Sequence, residues 1–282
     1  MIEVTEAAKR RGSFSLERIN IQLPEGCIMG LVGANGAGKT TLIQILLGLL
    51  QPDVGSVRID GLDYRREERS IREEIGYVLQ EELFQPGMSV WANADYYGGY
   101  YKRYDKALCR KYLEEFEVDG RRKYKVLSKG EKLKFQFAFA LAHYPKYLIM
   151  DEPAGNFDPD FAKNFYGLLT EFVSDGAHSV LLSTHQTEGL ERIADYVTFL
   201  QKGKLVFSED IESLRKRYKI ISGEKYKIKL LPEERVIFME ENAYGAKALA
   251  VNSRIHPFDA ELLVENPSIE ELMYFITKGG KC

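Results

Sequence analysis

Nine residues, GANGAGKTT at positions 33–41, restrict this chain more than any other stretch. The five residues before them, 28–32, are short and apolar and read as a buried strand, and TTLIQILLGLL at 40–50 reads as a helix. Strand, glycine-rich turn, Lys-Thr and helix together make a phosphate-binding loop. Gly33, Gly36 and Gly38, spaced by Ala34, Asn35 and Ala37, let successive N–H groups point into one hollow. That hollow sits at the positive end of the helix, where an anion is favoured. Lys39 adds a full charge for β- and γ-phosphates, the Thr40 hydroxyl can ligate Mg²⁺, and Thr41 completes the motif. The pattern implies a bound nucleotide.

The 282 residues suggest one full domain plus an appendage. A hydrophobic content of 45% and a charged content of 29% are those of an ordinary globular protein. The formal net charge of -3 offers no basic face for nucleic acid, so no nucleic-acid partner is expected. Cys27, Cys109 and Cys282 show no metal-ligand spacing and fit a reducing cytosol. His143, His178, His185 and His256 are too scattered to suggest a metal cluster. No apolar run approaches the ~20 residues of a membrane span, and the opening residues lack a signal-peptide pattern.

Along the chain, residues 2–32 read as strands, with INIQL at 19–23 the clearest. GSVRID at 55–60 is another strand, the charged stretch 63–74 a solvated helix, and 75–79 a strand that delivers Gln80 into a loop. From about 88 to 144 the character is helical; its tyrosines 96, 97, 100 and 101 fit helix packing and a partner-docking surface equally well. YLIM at 147–150 reads as a central parallel strand. A helix at 160–174, a strand at 179–183 and a helix at 188–195 follow, an alternation that calls for an α/β fold. The basic run 213–223 is expected to be a linker. Strand-like runs at 226–230, 235–239, 246–251 and 261–264, then a helix opened by Pro267-Ser268, make residues 224–282 a small α+β appendage.

Further motifs line up behind the phosphate loop: Gln80 after a strand, LSKGEK at 127–132, YLIMDEP at 147–153, NFD at 156–158 and STH at 183–185. In this order the set resembles the ATP-binding subunit of ABC transporters over about residues 1–212, closest to single-domain ATPases of bacterial ABC-2-type exporters. The resemblance implies a P-loop NTPase of the ABC ATPase type, with mixed sheets around the phosphate loop and a helical subdomain at 88–144. It implies ATP hydrolysis with Mg²⁺ held by Thr40, Asp151 and Gln80, Glu152 as general base, and His185 on the γ-phosphate. Ser128, Lys129, Gly130 and Glu131 fit a helix capping box. The resemblance adds that Ser128, Lys129 and Gly130 meet the nucleotide of a second copy, with Asp158 at the same seam.

Its implied partners are a transmembrane permease subunit and a homologous ATPase chain, the same or related, in a head-to-tail dimer on the inner face of the cell membrane. The resemblance also implies amphiphiles such as peptide antibiotics as cargo. The chain departs from the family pattern at Lys129 and Glu131, where Gly and Gln or Met are usual, and at 155–157. The family's adenine-stacking aromatic falls near Arg10 or Arg11, with Phe14 a second candidate. The competing readings are a soluble ABC-type ATPase acting on ribosomes or nucleic acid, and a nucleotide-gated regulator. One cassette without a heptad insertion, together with Glu152 and His185, argues against both.

Overall fold

The computed structural model describes residues 1–251 and 261–280, so His256 and Cys282 lie outside the described residues. The strands β1 (Ile2–Arg11) and β2 (Phe14–Leu23) form an antiparallel pair. Alternate residues of β2, among them Ile19, Ile21 and Leu23, point inward, as period-2 patterning requires. Strand β3 (Ile28–Val32) feeds the helix α1 (Lys39–Leu46). That helix stops four residues short of the expected end at 50, because Gly48 turns left-handed at φ 68°. A side chain there would collide with the Tyr64 ring.

β4 (Val54–Ile59), β5 (Leu62–Asp63), α2 (Tyr64–Glu74) and β6 (Ile75–Val78) follow. The helical region contains α3 (Val90–Gly98), α4 (Lys106–Glu115) and α5 (Lys129–Leu141). The chain then returns to the sheet through β7 (Tyr147–Asp151), α6 (Pro159–Val173), β8 (Ser179–Thr184), β9 (Tyr196–Gln201) and β10 (Lys204–Asp210). The expected helix at 188–195 is a single tight turn, Leu190–Arg192. Leu190 is fully buried against Gly30 of β3, and that packing turns the chain toward β9 before a helix can extend.

The sheet runs in the order β5-β4-β1-β2-β10-β9-β3-β8-β7-β6. β5, β4, β1 and β2 are antiparallel neighbours, β10 runs parallel to β2 and antiparallel to β9, and β9, β3, β8, β7 and β6 are parallel to one another. β3, β7 and β8 are buried at every position, the signature of strands covered on both faces. Their residues divide between two cores. Met29, Leu31, Ile149 and Leu181 pack with α1 on one side; Ile28, Val32, Met150 and Leu182 pack with the helical region on the other. In the helical region an aromatic cluster forms around Phe84, Phe135 and Phe139.

The basic run expected as a linker at 213–223 is structured. Its first part belongs to α7 (Ile211–Arg217), and the rest is β11 (Tyr218–Gly223), which pairs on both edges. Ile211, Leu214, Ile220 and Ile221 are buried beneath the basic side chains, which lie toward solvent. The expected strand at 226–230 is instead the short helix α8 (Lys225–Ile228), with Ile228 buried. β12 (Val236–Glu241), β13 (Ala246–Val251) and β14 (Leu263–Glu265) complete an antiparallel sheet ordered β12-β13-β11-β14, crossed by α9 (Ile269–Gly279). Ile269, Leu272 and Phe275 of α9 share one core with Val197 and Phe199 of β9, so the appendage is packed onto the cassette.

Ser268 and Glu271 cap α9 reciprocally, and Lys247 pairs with Glu271. Burial pushes the Glu271 pKa up, but Lys247 and the Ser268 N–H outweigh it and hold the carboxyl below its ordinary value. Its stabilisation is therefore fully present above the unfolded carboxyl value of about 4.3. It is lost as pH falls through the lowered folded value. Glu271→Gln should flatten that part of the acid limb in urea midpoints measured against pH.

Candidate functional site

The parallel strands β3, β6, β7 and β8 end at one edge of the sheet, and the loops that leave those ends build the site. Asn35 through Thr41, Gln80, Asp151 and Glu152 line one cavity of about 500 Å³. Gly38 precedes α1 at φ 111° with no side-chain cap, so the first N–H groups of that helix face the cavity free. A Cβ at Gly38 would meet the Phe14 ring at 2.9 Å. Lys39 is 5% exposed. Its Nζ donates to the Gly33 carbonyl at 2.8 Å and lies 3.0 Å from Glu152 Oε1.

Asp151 ends β7, and its Oδ2 accepts from the Thr40 hydroxyl at 2.7 Å. Its other oxygen accepts from the Ser183 hydroxyl. Glu152 takes a left-handed backbone, φ 48°, held by its N–H donating to the Ser183 carbonyl and hydroxyl at 3.1 Å each. His185 Nδ1 lies 2.8 Å from Glu152 Oε2. Burial would raise the Glu152 pKa, but the Lys39 ammonium and then His185 hold it below its ordinary value. Glu152 is therefore an acceptor, and His185 donates to it from Nδ1. Gln80 donates its amide to the carbonyls of Asp151 and Glu152, at 3.2 and 2.7 Å, leaving its amide oxygen for a metal or water.

Ser128, Lys129, Gly130 and Asp158 do not line this cavity. The capping box is formed: Ser128 Oγ accepts from Glu131 N at 3.1 Å, and Glu131 Oε2 accepts from Ser128 N at 2.7 Å. Arg122 pairs with the same carboxylate, so Glu131 turns back onto its own helix with its charge compensated. Ser128→Ala should cost about 1 kcal/mol of stability, read from the thermal unfolding midpoint. Asp158 caps α6 through Phe161 N at 2.8 Å and pairs with Lys134 at 2.8 Å. A Cβ on Gly130 would lie 2.5 Å from the Asn156 carbonyl, so the 128–131 turn and the 154–158 segment pack directly together. Of the three candidates for stacking on a base, only Phe14 lines the cavity; the Arg11 side chain donates to Gln44.

The family model for "ABC transporter" matches residues 16–155. The chain is 30% identical to the "Uncharacterized ABC transporter ATP-binding protein YhaQ" of Bacillus subtilis (strain 168), over 99% of each chain. It is also 30% identical to the "Bacitracin transport ATP-binding protein BcrA" of Bacillus licheniformis, over 77% of this chain and 72% of that protein. This chain belongs to the ABC transporter ATP-binding proteins. It is an ATP-binding and ATP-hydrolysing subunit. A solved structure described as "Dimeric Structure of MJ0796, a Bacterial ABC Transporter Cassette" shares the fold at a TM-score of 0.67. Its identity is 24%, over 74% of this chain and 98% of that one.

Two contacts in this ABC subunit are not legible in the sequence. Ser183 orders both Asp151 and Glu152, yet on paper it is one letter of the STH run. Lys134 reaches Asp158 from α5 and lies over the Phe161 ring. Among the described residues no helix is long and apolar enough to cross a membrane.

Proposed function

We propose that the chain hydrolyses ATP as half of a head-to-tail pair with a second copy or a related subunit. In this reading the pair drives a separate transmembrane partner that exports an amphiphile. The carrying observation is the Lys39–Glu152–His185 constellation beside the Thr40–Asp151 contact, at the mouth of an uncapped helix. The Thr40 hydroxyl and Asp151 carboxylate already converge, an all-oxygen donor set that suits Mg²⁺. Bound with ATP, the ion would neutralise charge on the phosphate oxygens.

Lys39 gives up Glu152 and turns to the β- and γ-phosphates when nucleotide enters. Glu152, released, orients water and accepts its proton. His185 offers a ring N–H to a γ-phosphate oxygen. Gln80 relates this centre to its loop through the Asp151 and Glu152 carbonyls. Ser128, Lys129 and Gly130 face a partner's nucleotide, a reading supported by their position outside the cavity of their own chain. Asp158 joins the same seam, and Lys134 ties it to α5.

Residues 81–84 and 96–101 border the groove in which the transmembrane partner docks. Bacitracin transport by the Bacillus licheniformis relative supports this choice of cargo.

A mixed cross-link tests the pair. Chains carrying Asn35→Cys, mixed with chains carrying Ser128→Cys, should form a disulfide-linked dimer in ATP. Neither variant alone should do so. Absence of the mixed product, with ATP bound to both, sinks the head-to-tail arrangement. For the base, Phe14→Ala should weaken ATP binding roughly 5- to 100-fold, the worth of one stacking contact. Arg11→Ala should leave it within twofold by isothermal titration.

A further inference from the structure

We propose that Gln136 is a positioning residue for ATP hydrolysis. From within α5 it fixes the backbone on either side of Gln80, and so aims that residue's amide oxygen into the nucleotide cavity. This rests on the reading of Gln80 given above, in which the oxygen meets metal or water, and adds what holds it there. The parallel ladder between β6 and β7 ends at Val78 and Met150, and Gln136 takes up the next N–H. Its Oε1 accepts from the Leu79 N–H at 2.8 Å, and its Nε2 donates to the Glu81 carbonyl at 3.3 Å. The two groups flank one residue, Gln80.

Gln136 is 2% exposed, between the fully buried Phe135 and Phe137. A polar side chain persists in such a place only where its hydrogen bonds are made. An amide can accept from one backbone group while donating to the other. A carboxylate would set a second acceptor against the Glu81 carbonyl, and a hydrocarbon would leave both groups unpaired. One turn earlier on α5, Lys132 pairs with Glu82, the next residue of the loop. The Glu81 carboxylate also accepts from Gln44 of α1 at 3.2 Å, but that bond is exposed, whereas the Leu79 bond is buried. The Gln80 amide in turn donates to the Asp151 and Glu152 carbonyls at 3.2 and 2.7 Å. Those bonds orient the side chain only while its backbone is held. Losing such a supporting partner costs about 10- to 100-fold in activity.

Gln136→Met keeps the volume and removes both bonds. It should lower kcat about tenfold with the KM for ATP within about twofold, because the phosphate loop is untouched. In the Gln80→Ala background the same substitution should change kcat by less than about twofold, since its effect runs through Gln80. A merely structural Gln136 would cost the same factor in both. Phosphate release under single-turnover conditions keeps the slow variants measurable. A second readout needs no nucleotide. With isotopically labelled glutamine, the Gln80 side-chain amide protons, identified by their loss in Gln80→Ala, should exchange with water about tenfold faster in Gln136→Met. Should that variant fail to fold, Gln136→Asn, a methylene too short to reach both groups, should show the same pattern with a smaller loss. An unchanged kcat, equal losses with and without Gln80, or unaltered exchange of its amide protons overturns the inference and leaves the reading of Gln80 standing. Normal turnover in Gln80→Ala overturns both.

Discussion

Glu152→Gln is expected to lower ATP turnover by about 10²- to 10⁴-fold, the range for loss of a general base, while ATP still binds. The glutamine keeps the shape of the side chain but only one acceptor oxygen, where Glu152 offers Oε1 to Lys39 and Oε2 to His185, and it cannot take a proton from water. In the resting chain Glu152 is ionic with Lys39 at 3.0 Å, so the neutral amide also loosens the contact that ATP must displace. Binding should therefore hold or tighten as turnover collapses, and the ATP-bound pair should persist on size exclusion. Phosphate release and nucleotide titration on one preparation check both halves. Normal turnover with a monomeric profile in ATP would remove Glu152 from the reaction.

Lys39→Ala should have the opposite signature, with binding lost first. Charge-assisted hydrogen bonds are worth about 1.5–3 kcal/mol each. Losing two of them to phosphate oxygens would cost ATP affinity on the order of 10²- to 10⁴-fold. The substitution also removes the larger of the two neighbours that keep the Glu152 pKa low, so burial then pushes that carboxyl upward. Titration calorimetry gives the affinity. Carbon-detected NMR of the Glu152 carboxyl, with and without Lys39, gives the second effect. An unchanged ATP affinity would show that the loop N–H groups alone carry the phosphates.

The site was legible wherever its chemistry is local in the chain. Gly33 through Thr41 needs only a strand, a turn and a helix start to become a phosphate cradle, and all three are written within fifteen residues or so. Asp151 and Glu152 follow an apolar run that can only be a buried strand, and Ser128 with Glu131 spells out its own cap. Local signals failed where long-range packing outweighed composition. Residues 213–223 look like solvated chain because their charges are conspicuous, yet the isoleucines between those charges make β11 the inner strand of a sheet. The 188–195 stretch has a helical pattern, but Leu190 is worth more buried against Gly30 than continued in a helix.

By itself, then, the sequence determined the kind of site and its parts: phosphate loop, acidic pair, the helix capped by Ser128 and Glu131, and histidine. Each of those depends on neighbours a few residues away, which a linear reading sees. The tertiary structure alone decided which of them touch. It set Lys39 on Glu152 across 113 positions, turned Phe14 rather than Arg11 toward the nucleotide cavity, and moved the 128–131 turn out of it. It also made a groove wall of an apparently solvated helix. Those outcomes follow from sheet order and helix orientation, where a one-residue shift in a strand reverses the face on which a side chain appears.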